Sequence, residues 1–173
     1  MKINNKTFVE ILVNLTVIAS LVFVGMQLLL DRRIAIAEQY FNRAESVKED
    51  TRAFLASPKY YQEREEWWAL GKRPSFWNED WEIAKQIEEG TLSIASLYFL
   101  ITRIELAIIG YDNIYFQYQQ GLIREEDWQR FRQGIKRRLK ADPELLRAIW
   151  LSHSRPAIKP VIEQILQEID SEN

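Results

Sequence analysis

The sequence predicts an all-α protein in which a single N-terminal transmembrane helix continues into a cytosolic helical bundle. Three observations favour this fold class. No segment alternates apolar and polar residues for long, whereas apolar residues recur at three-to-four spacing along most of the chain. The stretch Ile11–Leu30 carries no charge. The 173 residues are 47% hydrophobic, which suffices for one bundle core and an anchor.

The uncharged stretch Ile11–Leu30 has the length of a membrane span. At 1.5 Å per residue it makes a helix of about 30 Å, the thickness of the hydrocarbon core of a bilayer. Glu10 precedes it and the charged run DRR follows it. A secretory signal has a shorter apolar core, although residues 35–37, AIA, resemble a cleavage site. We therefore predict an uncleaved span, with a cleaved signal and a buried soluble helix as alternatives.

Basic residues near the ends of the span predict its orientation. Lys2 and Lys6 precede the span, whereas a larger basic group follows it, consisting of Arg32, Arg33, Arg43 and Lys48. Cytoplasmic flanks carry the excess of Lys and Arg. We predict a single-pass protein of the bacterial inner membrane, with an anchor over residues 1–33 and a cytoplasmic helical bundle over residues 34–173. The lipid bilayer is then its first partner.

Two polar stripes run along the span on roughly opposite faces. One contains Asn14 and Gly25, and the other contains Thr16, Ser20 and Gln27. Polar side chains in hydrocarbon seek partners, and small residues let helices approach closely. Either the bilayer tolerates these uncharged groups, or the span self-associates so that the stripes meet neighbours or a water-filled centre.

Cap and turn residues divide the region after the span into helices. The first, over residues 34–54, continues the span without a Pro or Gly break. Ser57 and Pro58 are a cap and first residue for the next helix, which we expect to stop at Gly71.

The next predicted helix is long. Asn78 is its expected cap, and it runs from Glu79 toward Ile109. Its apolar part resembles a second span, but Arg103 and Glu105 would each cost about 2.5–3.5 kcal/mol near a bilayer centre. We therefore predict the buried central helix of a bundle, with a hairpin or re-entrant element as the alternative.

Three further helices complete the prediction. The segment YDNIYFQYQQG extends or follows the central helix and should end at Gly121, and REEDWQRFRQGIKRRLKA forms the next helix. Asp142 and Pro143 then cap a short helix, PELLRAIWLSH. A last amphipathic helix lies around VIEQILQEI.

The sequence contains no catalytic motif of high specificity. It has no cysteine, which excludes disulfides, thiolate metal sites and a cysteine nucleophile. His153 is the single histidine, and the chain lacks HExxH, paired Glu-x-x-His and Gly-rich phosphate loops. We expect a non-enzymatic protein with no cofactor and no metal site.

One pair of residues could carry chemistry. The segment RAIWLSH, with Arg147 and His153 at its ends, resembles the Arg-x4-6-His motif of helical HEPN ribonucleases. The resemblance implies that His153 acts on a ribose 2′-hydroxyl and that Arg147 stabilises phosphate charge, usually across a dimer. A polar residue usually follows the arginine in that family, whereas this chain has Ala148. The alternative is that His153 lies near a helix C-terminus, where an imidazole is favourable.

Four basic residues are candidates for contact with phosphate or lipid headgroups: Lys72, Arg73, Arg137 and Arg138. The last two lie in a basic run whose helix begins with an acidic turn. Because the helix dipole prefers acid first and base last, we favour a solvated helix there and expect no nucleic-acid partner.

Tryptophans are concentrated near the first basic pair. They are Trp67, Trp68, Trp77 and Trp81. Aromatics at helical spacing more often belong to a core or a subunit interface, and contact with headgroups is the alternative.

Nearly the whole chain resembles a set of small bacterial single-span membrane proteins. The segments that carry the resemblance are EILVNLTVIASLVFVGMQLLLDRR, YFNRA, YQQGLIREEDWQRF and AIWLSHSRPAIKPVIEQIL. The resemblance implies an all-helical cytosolic domain on one span and implies no function.

More distantly, the layout is similar to the membrane accessory protein of some RNA-targeting CRISPR systems. That protein combines an N-terminal span with a degenerate HEPN-like bundle and assembles into a ring-shaped pore. The similarity implies a homo-oligomeric, pore-type effector in phage defence or stress. A membrane-tethered ribonuclease and a plain tether for a protein partner are the alternatives.

Overall fold

The computed structural model confirms the all-α class. It describes residues 5–141 and 144–172, and their side chains from residue 8 onward. These residues form helices and no strand, and 81% of them are helical. In chain order the helices are α1 Asn5–Leu55, α2 Pro58–Ala69, α3 Glu82–Glu88, α4 Ile94–Gln119, α5 Glu125–Ala141, α6 Leu145–His153 and α7 Lys159–Ser171.

The chain divides into two compact units, Met1–Gln39 and Tyr40–Asn173, and the division falls within α1. The predicted boundary between residues 33 and 34 lies in the same helix. In the first unit every residue from Phe8 to Ile36 is exposed. The predicted continuation of the first helix without a break is confirmed, since α1 ends only at Leu55.

Two of the helices are long and apolar enough to cross a membrane. In α1 none of the apolar window is buried, whereas a third of the corresponding window of α4 is buried. A core helix and an N-terminal signal sequence satisfy the same criterion of length and composition.

Helix α4 is the central helix of the second unit. It packs against α2, α5 and α6, and α7 packs against α5 and α6. Its buried face combines apolar residues with three polar ones, Thr102, Asp112 and Asn113. The prediction of a buried central helix is therefore confirmed. Trp150 of α6 and Ile162 and Ile165 of α7 are fully buried in the same core.

The single long helix predicted from Glu79 toward Ile109 is wrong. The structure has two helices there, and Gly90 separates them with φ of +73°. The left-handed conformation is sterically unfavourable for a residue with a Cβ atom, whereas glycine adopts it readily. The N–H groups of Thr91 and Leu92 both return to the carbonyl of Gln86, which ends α3. Ser93 then caps α4, since its hydroxyl accepts from the N–H of Ser96.

The cap predicted at Asn78 is also wrong. Its side chain accepts from the N–H of Asp80 and so forms a local turn, and the residue before α3 is Trp81. A short polar side chain that bonds its own backbone two residues on competes with helix capping. Ser57 and Pro58 begin α2 as predicted, although the Ser57 side chain makes no cap hydrogen bond. The predicted role of Asp142 and Pro143 lies outside the described residues.

A polar cluster around the buried Asp112 joins α1, α4 and the turn after α6. The Tyr40 hydroxyl donates to Oδ2 of Asp112, whose side chain is 4% exposed. Arg155 donates to the Tyr40 hydroxyl at 2.7 Å, and its Nε lies 3.3 Å from the same carboxylate oxygen. The Tyr40 ring stacks on Phe116 with centroids 4.1 Å apart. We call Tyr40, Asp112 and Arg155 the tyrosine clasp.

Ion pairs connect α5 with α7. Arg132 and Lys136 bind Glu168, and Lys136 and Lys140 bind Glu172. The acidic first turn predicted for α5 is present. The basic residues later in α5 were predicted to face solvent, but several of them pair with carboxylates of α7.

Candidate functional site

A cleft in the second unit collects cationic and aromatic side chains. Its volume is about 320 Å³. Helix α2, the turn after it, α4 and the end of α6 contribute its lining: Tyr60, Arg64, Trp67, Lys72, Arg73, Pro74, Ser75, Phe76, Tyr98, Ile101, Glu105 and His153. We call it the aromatic cleft.

Arg64 lies among three rings of the aromatic cleft. Its guanidinium carbon is 5.0 Å from the ring centroid of Tyr60, 4.8 Å from that of Trp67 and 5.2 Å from that of Tyr98. One turn of α2 separates Arg64 from Tyr60 on one side and from Trp67 on the other, so the sequence spacing itself brings these side chains together. Within the described part of the chain its N–H groups have no hydrogen-bond acceptor.

Lys72 and Arg73 have different surroundings in the same cleft. The Lys72 ammonium lies 5.4 Å from the Trp67 ring and has no acceptor among the described residues. Arg73 stacks on Trp68 at 3.8 Å, donates to the Trp68 carbonyl at 2.7 Å and lies 3.5 Å from Glu79. Lys72 is therefore a free cation, whereas Arg73 is held by the protein.

The tryptophan cluster divides in the structure. Trp77 makes edge contacts with both Trp68 and Trp81, so these three pack against each other beside the core. Trp67 remains 47% exposed at the rim of the aromatic cleft. The predicted core role thus fits three of the four residues.

His153 is clamped at the end of α6. Its Nε2 lies 3.0 Å from Oε1 of Glu105, and its Nδ1 lies 2.7 Å from the Ser152 hydroxyl and 3.1 Å from the Ile149 carbonyl. The hydrogen bond from the imidazole to Glu105 raises the pKa of His153, burial opposes this, and the charge of that carboxylate and the Ile149 carbonyl add to the rise. The Glu105 carboxylate and the Ile149 carbonyl are acceptors, and the Ser152 hydroxyl can accept as well, so the doubly protonated ring can donate at both nitrogens.

Arg147 contacts a different neighbour from His153. Its Nη2 is 2.7 Å from Oδ1 of Asp170 in α7. Six residues along α6 turn the two side chains about 120° apart around the helix axis. Within one chain the structure therefore gives Arg147 and His153 separate partners, and His153 shares the aromatic cleft with Arg64, Lys72 and Arg73.

The other predicted basic residues lie elsewhere. Arg138 lines a second cleft of about 280 Å³ together with Arg103, Leu146 and Trp150, and its guanidinium is 6.0 Å from the Tyr111 ring. Arg137 is exposed. The structure thus brings Lys72 and Arg73 together but does not join them to Arg137 and Arg138.

The polar residues of the first unit fall into two classes. Thr16 donates to the Leu12 carbonyl and Ser20 to the Thr16 carbonyl, so both hydroxyls are satisfied inside α1. Asn14 and Gln27 are exposed and have no hydrogen-bond partner among the described residues. A Cβ added at Gly25 would meet nothing within 4 Å.

Sequence reasoning missed Tyr60, Tyr98 and Glu105 as members of a site, and it considered Arg64 only as a basic residue flanking the tryptophans. The spacing of Arg64 from Tyr60 and Trp67 was a usable signal. Glu105 gave none, because its partner His153 lies far along the chain. Among residues 5–141 and 144–172, no group of His, Cys, Asp and Glu could hold a metal ion.

Comparison with protein-family models, with characterised proteins and with solved structures finds no match to the chain. The candidate site therefore has to be interpreted from its own chemistry.

Proposed function

We propose that the protein is a non-enzymatic, single-pass protein of the bacterial inner membrane that self-assembles through its span and its cytoplasmic bundle. One observation carries the membrane part. All the large apolar side chains between Phe8 and Leu30 are between 49% and 67% exposed. A soluble protein rarely leaves so large a continuous apolar surface in water, whereas a bilayer covers it.

The polar groups of the span support self-assembly. Asn14 and Gln27 each present an amide without a partner in the described chain. An amide in hydrocarbon gains by bonding to a neighbouring helix, and a second copy of this span offers the same amide. The assembled spans would place Asn14 or Gln27 against each other or around a water-filled centre, which is the pore-type form of the proposal.

The mass of the full-length protein in a neutral detergent tests the assembly. We expect an oligomer, and Asn14→Leu with Gln27→Leu should lower its subunit number. Thr16→Val with Ser20→Ala is the matched control, because those hydroxyls are already satisfied inside α1. A monomeric parent protein, or a double leucine variant of unchanged mass, would contradict self-assembly through the span.

Dye release from protein-containing vesicles tests the pore form. We expect the parent protein to release a small dye and the Asn14→Leu, Gln27→Leu protein to release less. Carbonate extraction tests the anchor, which should keep the protein with the membrane. The absence of native cysteine allows single cysteines to be introduced on either side of the span to establish its orientation.

The membrane-tethered ribonuclease is the second candidate, because His153 shares its cleft with three basic residues. The clamp weighs against it, since both ring nitrogens already have partners within the protein: Glu105 at Nε2, and Ser152 and the Ile149 carbonyl at Nδ1. Cleavage of labelled RNA by the parent protein but not by His153→Ala would favour this candidate. A monomer or dimer with neither dye release nor cleavage would favour a plain tether for a protein partner.

A further inference from the structure

We propose that the aromatic cleft binds a nucleoside monophosphate, a phosphate ester joined to a flat aromatic ring. The inference concerns the second unit and does not rest on assembly of the span. Four properties of the cleft support it: its unpaired cations, its charge balance, its aromatic lining and its volume.

The unpaired cation is Arg64. A guanidinium has five N–H donors in a fixed fork that matches the oxygens of a phosphate. Three aromatic rings hold the Arg64 guanidinium in the cleft, while its N–H donors have no acceptor among the described residues. The rings thus supply position, and the hydrogen-bonding capacity of the guanidinium is left for a ligand.

The charge balance of the cleft also favours an anion. Glu105 is committed to His153, and the nearest carboxylate to Arg73 is Glu79. Lys72 has no carboxylate partner in the described chain. Two positive charges, those of Arg64 and Lys72, therefore remain uncompensated, which matches the charge of about −2 on a phosphate monoester near neutral pH.

The aromatic side chains and the size of the cleft indicate what the phosphate is attached to. Tyr60, Trp67 and Phe76 line the cleft, and Trp67 is 47% exposed. Base–aromatic stacking contributes about 1–3 kcal/mol per base and tolerates any base. The volume of about 320 Å³ is at the lower end of small-molecule sites, as a mononucleotide requires. Inorganic phosphate alone would leave the exposed part of the Trp67 ring uncovered.

Equilibrium dialysis of the full-length protein in a neutral detergent tests the proposal with AMP as the probe. Adenosine, ribose 5-phosphate and inorganic phosphate are the comparison ligands. We expect saturable AMP binding, with each comparison ligand bound at least about tenfold more weakly, because each lacks either the charge or the ring. No saturable AMP binding up to about 5 mM would overturn the proposal. Equal binding of adenosine or of ribose 5-phosphate would overturn it as well.

Variants locate the binding in the aromatic cleft. Arg64→Gln should weaken AMP binding about tenfold or more, and Lys72→Gln about threefold or more. Arg103→Gln is the matched control, because Arg103 also lies over a ring, that of Phe99, but lines the second cleft. Lys72 is exposed, so its variant keeps the test valid if Arg64→Gln fails to fold. Unchanged AMP binding by Lys72→Gln, or equal loss in Arg103→Gln, would contradict the assignment.

Discussion

The imidazole of His153 and the carboxylate of Glu105 join the end of α6 to the middle of α4, with Nε2 and Oε1 3.0 Å apart. The other ring nitrogen contacts the Ser152 hydroxyl and the Ile149 carbonyl. The residue that looks most catalytic in the sequence therefore acts, in this geometry, as a cross-link between α6 and α4. Its protonation should be coupled to the stability of the bundle.

We expect the bundle to lose the stability that His153 contributes as pH rises through the raised pKa of this group. The folded pKa of His153 is raised by Glu105, so the contribution is fully present below the unfolded pKa of about 6.5 and is lost as pH rises through the folded pKa. Thermal unfolding between pH 6 and pH 9 checks this. Glu105→Gln should flatten the dependence, whereas Glu65→Gln, an exposed residue of α2, should leave it unchanged.

The same titration can be followed directly. His153 is the single histidine, so its Cε1 proton gives one signal of that type in a proton NMR spectrum. A midpoint at or below 6.5 in the parent protein, or a midpoint unaffected by Glu105→Gln, would contradict the clamp.

Loss of the Tyr40 hydroxyl should destabilise the bundle. Tyr40→Phe removes a donor from the buried Asp112 carboxylate, and leaving such a group under-satisfied costs about 1–3 kcal/mol. Chemical denaturation of the parent and variant proteins measures the difference. Tyr118→Phe is the control: its hydroxyl also donates to a carboxylate, Glu125, but at an exposed position. An equal loss of unfolding free energy in the two variants would mean that the burial of Asp112 does not increase the cost of removing its donor.

The break between α3 and α4 should depend on Gly90. Alanine there must adopt φ near +73°, which costs about 1–2 kcal/mol. Gly110→Ala is the matched control, since Gly110 lies within α4 and an added Cβ would meet only the Lys48 side chain at 3.8 Å. We expect that control to be neutral or stabilising by up to about 1 kcal/mol. Denaturant unfolding of both variants measures the change in the free energy of unfolding. A Gly90→Ala protein as stable as the parent would show that the chain can form one long helix there.

The ion pairs between α5 and α7 should make the bundle sensitive to acid. Hydrogen bonds from Lys136 and Lys140 lower the pKa of Glu172 to about 2. Its contribution is therefore present above the ordinary pKa of about 4.5 and is lost as pH falls toward 2. Thermal unfolding at pH 5 and pH 2.5 should differ less in Glu172→Gln than in the parent. Glu163→Gln, on the same helix and exposed, should behave as the parent does.

Much of the fold follows from local sequence signals. Pro58, Gly71 and Gly121 mark helix ends that the structure reproduces, and the apolar period identifies α4 as central. The prediction of one long helix failed at Gly90 for a local reason too, because the residues GTLS are also compatible with a helix interior. Only the left-handed φ of Gly90 and the Ser93 cap distinguish the two.

The candidate site was less predictable than the fold. Side chains that share a helix, such as Arg64 and Trp67, can be paired by counting residues. The contacts of His153 with Glu105 and of Arg147 with Asp170 depend on how α4, α6 and α7 pack, which single-helix periodicity does not give. The apolar packing of α4, α6 and α7 determines which helix faces are neighbours. The polar side chains pair across the interfaces between these helices.

The tyrosine clasp has a consequence for the time course of folding. Its members are 72 residues apart between Tyr40 and Asp112 and 115 apart between Tyr40 and Arg155, whereas most helix ends form from neighbouring residues. Contacts that close such long loops tend to form late. We expect Tyr40→Phe to leave the refolding rate unchanged and to speed unfolding, which stopped-flow fluorescence would measure. The clasp would then act as a latch that governs the lifetime of the folded bundle.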